Sequence, residues 1–383
     1  ERLAPALQRF ATAVARPDLA VNPPRDAMVA HYAETRFPWR DELHRTLKQR
    51  FGIDGFRGVQ EAVINALLEG RDAFAIMRTG EGKSLCFQLP VVAVGGLCLV
   101  ICPLKSLMQD QVKGLRAKGF SAANFDSDLS AEQKDTVYAS IDRIADPSVA
   151  GHLILYCTPE LVTKSRRLEE ALLHAAGQGR LKLVAVDEVH CVSQWGSSFR
   201  PDYAQLRILK QKFPNVPLLG LTATATDKVI DDVQRSLGVP NSLVAKQSFN
   251  RHNIYLEVRS KPPKRNSHTD LAEIITAAQG GTGLIYCLSQ KNCCELARAL
   301  VAYGIRAAPY HAGLPGAERQ WTQARWTDNE IQVVVATVAF GMGIDKADVR
   351  FVIHYTLPCS IQDYQQQIGR GGRDGGPCRA IVY

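Results

Sequence analysis

Residues 186–203 read Val-Asp-Glu-Val-His-Cys-Val-Ser-Gln-Trp-Gly-Ser-Ser-Phe-Arg-Pro-Asp-Tyr, and residues 77–84 read Met-Arg-Thr-Gly-Glu-Gly-Lys-Ser. Each follows a short apolar run, Leu183 to Val186 in the first case and Ala73 to Met77 in the second. A carboxylate pair closing an apolar strand is how nucleotide hydrolases hold magnesium and a water, and a Gly-Lys-Ser turn opening a helix is how they hold phosphates. Together the two stretches imply ATP hydrolysis on a phosphate-loop α/β fold. Between Gln194 and Arg200 a tryptophan, a phenylalanine and an arginine stand beside the carboxylates, side chains suited to stacking on bases and gripping a phosphate.

Outward from these stretches the same pattern repeats. Leu97 to Cys102, Leu153 to Tyr156 and Leu218 to Leu221 are further apolar runs separated by helical stretches. A second set follows at Gly283 to Tyr286, Ala307 to Tyr310, Val333 to Ala336, Phe351 to His354 and Ala380 to Val382. Continuous apolar runs alternating with helices predict buried parallel strands, here two doubly wound sheets of α/β type. The boundaries read from the sequence are a partly ordered extension over 1–36, a first lobe over 37–247 and a second over 248–383. The turn-rich basic stretch Ser260 to His268 is expected to be a surface loop early in the second lobe.

Composition narrows the partners. A net charge of +8 suits a nucleic acid. No apolar run reaches the ~20 residues of a membrane span. The ten cysteines are scattered without a Cys-x-x-Cys, which argues against a zinc site and against a disulfide framework and favours a reducing compartment. The chain opens on Glu1 without a signal-peptide pattern, the expectation for a piece of a longer protein.

Ligands of doubly wound sheets gather at the carboxyl ends of the strands, where these motifs fall. Thr79, Gly80, Gly82 and the following amides can wrap phosphates at a helix start. Lys83 is suited to neutralise the β and γ phosphates and Ser84 to ligate magnesium, with Met77 in the place of the usual first glycine. Glu81 needs its own reasoning. About 4 Å from a phosphate oxygen, at an effective dielectric near 20, its charge would repel by ~4 kcal/mol per charge pair. The expectation is that the backbone aims this side chain outward.

Phe56-Arg57-x-x-Gln60, Leu85 to Pro90 after the phosphate loop, Asp187 to Cys191, Gln194-Trp195-Gly196, Phe199 to Tyr203, Leu221 to Ala225, Ala336 to Asp345 and Gly369-Arg370-x-Gly372-Arg373-Asp374 resemble the RecQ family of DNA helicases. Phe37-Pro38-Trp39 and Glu330 to Val335 are most similar to its type 1 branch in eukaryotes, and the likeness covers about residues 37 to 383. The resemblance implies two RecA-like lobes with ATP and Mg2+ between them, 3′ to 5′ movement on single-stranded and forked DNA, and work in repair and recombination in the nucleus. It implies that Gln60 and Arg57 read the adenine, that Asp187 holds magnesium through water, and that Glu188 activates the attacking water. His190, Thr222 and Thr224 would link the nucleotide site to the other lobe. Gln194, Trp195, Phe199, Arg200 and Asp345 would couple DNA to hydrolysis. From the second lobe, Gln366, Arg370 and Arg373 would act on the γ phosphate, Arg373 being the first choice for the arginine finger and Arg370 the second.

The chain departs from the family pattern at Ser197-Ser198, where the family has His-Asp. It also departs at Gly58 and Arg78 in place of proline, at Gly371 in place of alanine and at Gln367 in place of glutamate. The serine pair leaves open a second expectation, a coupling-impaired DNA-binding or strand-annealing module of helicase ancestry. A motor on RNA or protein is the third. The zinc-binding and winged-helix regions of the family have no counterpart up to Tyr383.

Overall fold

The strand Ala73–Ile76 (β1) shows why the apolar runs carry no alternation. Phe74 and Ile76 enter one core and Ala73 and Ala75 the other, so both faces of the sheet are covered and no position faces water. The structure is a computed structural model that describes residues 25–193, 199–248, 250–341 and 346–383. The chain divides into two compact units, Glu1–Ser248 and Phe249–Tyr383.

In the first unit β1 lies in a seven-stranded sheet with Gly96–Ile101 (β2), Ala122–Phe125 (β3), His152–Cys157 (β4), Leu181–Val186 (β5), Leu218–Thr222 (β6) and Leu243–Lys246 (β7). The order is β3-β4-β2-β5-β6-β1-β7, and all pairings are parallel. This order makes β1, β5 and β6 central and brings their carboxyl ends together. The helix Arg25–Glu34 belongs to this unit: Met28 and Tyr32 are buried in its core, and Tyr32 donates its hydroxyl to Glu69 at 2.7 Å. The expected division between an extension ending at residue 36 and a lobe starting at 37 therefore does not separate this helix from the core it packs on.

The second unit repeats the design with Ile254–Val258 (β8), Thr282–Tyr286 (β9), Ala307–Tyr310 (β10), Val333–Ala336 (β11), Val349–His354 (β12) and Cys378–Val382 (β13), in the order β10-β11-β9-β12-β13-β8 and again all parallel. Val333 and Val335 face one core, Val334 and Ala336 the other.

Three strands are absent from the sequence reading, and all three are sheet edges. β3 has a polar residue in its four positions, β7 ends on an exposed lysine, and β8 exposes Tyr255, Leu256 and Val258. An edge strand is covered on fewer sides, so its apolar run is short or broken. The stretch Ser260 to His268 is likewise corrected. A helix begins at Lys264, after Pro263, and runs to Ala277.

Candidate functional site

The chain leaves β1 at Met77, whose amide donates to the Thr222 carbonyl of β6 at 3.1 Å. The turn that follows uses two left-handed glycines, Gly80 at φ +87° and Gly82 at φ +78°. At Gly82 a β-carbon would stand 2.7 Å from Gln60 Nε2. Gln60 is buried, donates Nε2 to the carbonyls of Glu81 and Gly82 at 3.0 and 3.1 Å, and accepts at Oε1 from the Arg57 amide at 2.8 Å. In this structure the Gln60 amide thus secures the back of the loop instead of standing open to a base, while Arg57 is exposed. Lys83 reaches back over the loop and donates Nζ to the Met77 carbonyl at 3.3 Å. Ser84 is the N-cap of the helix Leu85–Val94, yet its side chain makes no cap hydrogen bond. Thr79 is half-buried in the same turn. Glu81 does not point outward: it pairs with Arg78 at 2.8 Å, each side chain 20% exposed.

β5 ends at Val186, and the next two residues turn sharply. Asp187 donates its amide to the Ile101 carbonyl at 2.9 Å, and Glu188 takes a left-handed conformation at φ 49°, ψ 44°. A non-glycine residue holds that conformation only where its surroundings enforce it. The Asp187 carboxylate accepts from the Glu188 amide at 3.0 Å. Burial, then the neighbouring Glu188 charge, pushes the Asp187 carboxyl up to about 6, with the Lys83 ammonium pulling the other way. Lys83 and Asp187 are therefore electrostatic neighbours, as the motif pairing predicts.

His190 joins this turn to β6. Its Nδ1 lies 3.3 Å from Glu188 Oε2 and 2.8 Å from Thr222 Oγ1. The Thr222 hydroxyl donates to the Thr224 carbonyl at 3.2 Å and accepts from the Thr224 amide at 3.1 Å. A hydroxyl has one proton, so this order assigns the imidazole proton to Nδ1 and leaves Nε2 an acceptor. Burial lowers the His190 pKa to about 4, which keeps the ring neutral near pH 7. Thr226 caps the next helix, Asp227–Leu237.

The segment after the carboxylates is tied back to them. Tyr203 is buried and donates its hydroxyl to the Asp187 carbonyl at 3.0 Å. Arg200 donates its amide to Cys191 at 3.0 Å and Nη1 to the Pro103 carbonyl, beyond β2, also at 3.0 Å. Phe199 is exposed. Gln194, Trp195, Ser197, Ser198 and Asp345 lie outside the described residues. Tyr203 and Pro103 carry no assigned role in the sequence reading, because a tyrosine hydroxyl and a backbone carbonyl leave no signature beyond their positions after the motifs.

The residues present fit ATP with magnesium. The turn's two left-handed glycines set its amides at a helix start, Ser84 keeps its hydroxyl out of the helix cap, and Asp187 is a carboxylate whose charge burial disfavours and a cation would favour. Ser84 and Asp187 are the residues that would hold the metal.

In the second unit the two motif arginines have different surroundings. Arg370 is 5% exposed and donates Nη1 to the Gly341 carbonyl, so the buried guanidinium holds the turn after β11. In this structure Arg370, the second choice for the finger, has this backbone role. Arg373 and Gln366 are half-buried. Two departures have close neighbours here. A β-carbon at Gly371 would come within 2.2 Å of Cys378 Sγ, so an alanine there requires the thiol to move, and Gln367 Oε1 is bonded to Nε2 of the buried His354 at 2.7 Å.

Residues 57–233 match the DEAD/DEAH box helicase family, and residues 266–375 match the helicase conserved C-terminal domain. ATP-dependent DNA helicase Q1 of Rattus norvegicus is 44% identical over 361 residues, 94% of this chain and 57% of that protein. ATP-dependent DNA helicase Q-like 2 of Arabidopsis thaliana is 44% identical over 358 residues, 93% of this chain and 50% of that protein. The chain thus spans little more than half the length of these curated relatives. Among solved structures, the Mycobacterium smegmatis helicase Lhr bound to ssDNA and AMP-PNP superposes with a TM-score of 0.68 at 22% identity, covering 89% of this chain and 47% of that one. Dbp5 of S. cerevisiae bound to RNA and ADP BeF3 gives 0.63 at 19% identity, covering 89% and 86%. These likenesses show the fold, a pair of RecA-like units.

Proposed function

The chain belongs to the RecQ-type helicases, and on that premise we propose that it is the ATP-driven motor of a DNA helicase. It moves 3′ to 5′ on single-stranded DNA and opens forked duplexes in repair and recombination, in the nucleus. The observation that carries this reading is the chain of contacts from Asp187 through Glu188 and His190 to Thr222, with Tyr203 bonded to the Asp187 carbonyl. A segment that ends in a catalytic carboxylate on one side and in Phe199 and Arg200 on the other can report an occupied strand to the hydrolytic water.

Each residue then has a task. Lys83 exchanges the Met77 carbonyl for the β and γ phosphates. Glu188 accepts a proton from the attacking water, and His190, held neutral with its proton on Nδ1, orients that carboxylate against Thr222. Ser84 and Asp187 would hold magnesium, which would supply positive charge against the phosphates. Of the two second-unit arginines, Arg373, the last residue of the Gln366, Arg370, Arg373 spacing, is the one we assign to the γ phosphate.

The DNA in the names of the 44% identical relatives favours DNA over the RNA bound by the more distant Dbp5. Unwinding of forks with a 3′ tail, but not of those with only a 5′ tail, is the expected result. Equal unwinding of both, or unwinding of RNA alone, contradicts the proposal. Affinity for single strands should fall with salt at a log-log slope of roughly −0.7 per phosphate contacted.

A further inference from the structure

Glu81 lies in the turn that would hold a triphosphate, and both of its carboxylate oxygens have partners of their own. Oε1 pairs with Arg78 Nη2 at 2.8 Å, and Oε2 accepts from Gln247 Nε2 at 3.3 Å. Gln247 follows β7 and donates its amide to the Ile76 carbonyl at 2.9 Å, so it is anchored to the strand that feeds the loop. Its side chain lies over Gly58, which stands at φ +50° and where a β-carbon would come within 2.8 Å of Gln247 Cδ. Proline, restricted to φ near −65°, cannot occupy that place. The departures at Gly58 and Arg78 therefore meet around one carboxylate.

We propose that Gly58, Arg78 and Gln247 form a latch on Glu81, and that Arg78 is a positioning residue for ATP, cancelling and restraining a negative charge that would otherwise confront the phosphates. The proposal rests on the ATPase reading above. It explains how an acidic residue is accommodated in a phosphate loop without being turned to solvent. An unpaired carboxylate about 8 Å from one phosphate charge, at an effective dielectric near 20, weakens binding by roughly tenfold or more.

The test is steady-state ATP hydrolysis by the whole chain with Arg78→Ala, Arg78→Lys, Glu81→Ala and the double variant Arg78→Ala with Glu81→Ala, beside Lys83→Ala. Arg78→Ala should raise KM for ATP about tenfold with kcat within about twofold of the parent, and the rise should shrink as salt is added. Arg78→Lys should keep most of the parent KM. The double variant should return KM to within about twofold of the parent, which a merely structural role for Arg78 would not do. An unmoved KM in Arg78→Ala overturns the latch, as does a double variant no better than Arg78→Ala. Loss of kcat at unchanged KM overturns it too. Hydrolysis in the parent that survives Lys83→Ala overturns the ATPase reading itself, whereas Lys83-dependent hydrolysis with an unmoved KM overturns the latch alone.

Discussion

The turn after β5 and the turn after the helix Ile361–Ile368 both concentrate polar motif residues, but they commit them differently. In the first, side chains bind side chains: Glu188 to His190, and His190 to Thr222. In the second, Arg370 binds the Gly341 backbone. The first is a chemical arrangement that a change of ligand can disturb. The second includes a structural clamp inside a motif whose spacing suggests a purely catalytic row. Closely spaced motif residues thus divide by burial and by what they bond, and sequence proximity does not decide their roles.

The largest effect should come from the first turn. Glu188→Gln is expected to lower ATP hydrolysis by roughly 10²- to 10⁴-fold while ATP still binds, since only the base is lost. Turnover measured beside equilibrium ATP binding checks this, and near-normal turnover would remove Glu188 from its role.

The second turn offers a paired contrast. Arg373→Ala should reduce kcat about 10³-fold with little change in the unfolding midpoint. Arg370→Ala should destabilise the chain by about 2–3 kcal/mol, because a charge-assisted bond is removed and the Gly341 carbonyl loses its donor. Denaturant titration of both variants beside their hydrolysis rates separates the clamp from the catalytic arginine. The reverse pattern would exchange their roles.

A smaller effect distinguishes the His190 network. The His190 pKa falls from its ordinary 6.5 to about 4 on burial, so below 6.5 the unfolded chain takes up a proton that the folded one refuses. This contribution to stability is present above pH 6.5 and is lost as pH falls towards 4. Between pH 7 and pH 5 the parent should lose on the order of 1–2 kcal/mol more stability than His190→Gln. Equal losses would mean that the ring is not held neutral.

The fold was legible where strands are central. β1, β5 and β6 are buried on both faces, so their runs stand out, whereas β3, β7 and β8 are edges with broken apolar patterns. The site was legible where its chemistry needs a fixed residue type at a fixed spacing, as with Lys83, Ser84, Asp187 and Glu188. What stayed hidden depends on contacts distant in sequence. Gln247 stands 166 positions from Glu81 and Gly341 lies 29 from Arg370. Tyr203 reaches Asp187 through a backbone carbonyl, which has no residue identity to read. The partners of Glu81 stayed hidden for the same reason, since Gln247 is far from it in sequence.

The central claim is that a strand bound beside Phe199 and Arg200 is felt at Glu188. Its most direct measurement is the rate of ATP hydrolysis with single-stranded DNA, with RNA and with no polymer, using Lys83→Ala as the blank. Stimulation by DNA well above that by RNA, lost in Arg200→Ala while the rate without polymer is kept, is the predicted result. A rate that DNA leaves unchanged, or a stimulation that Arg200→Ala leaves intact, would contradict it.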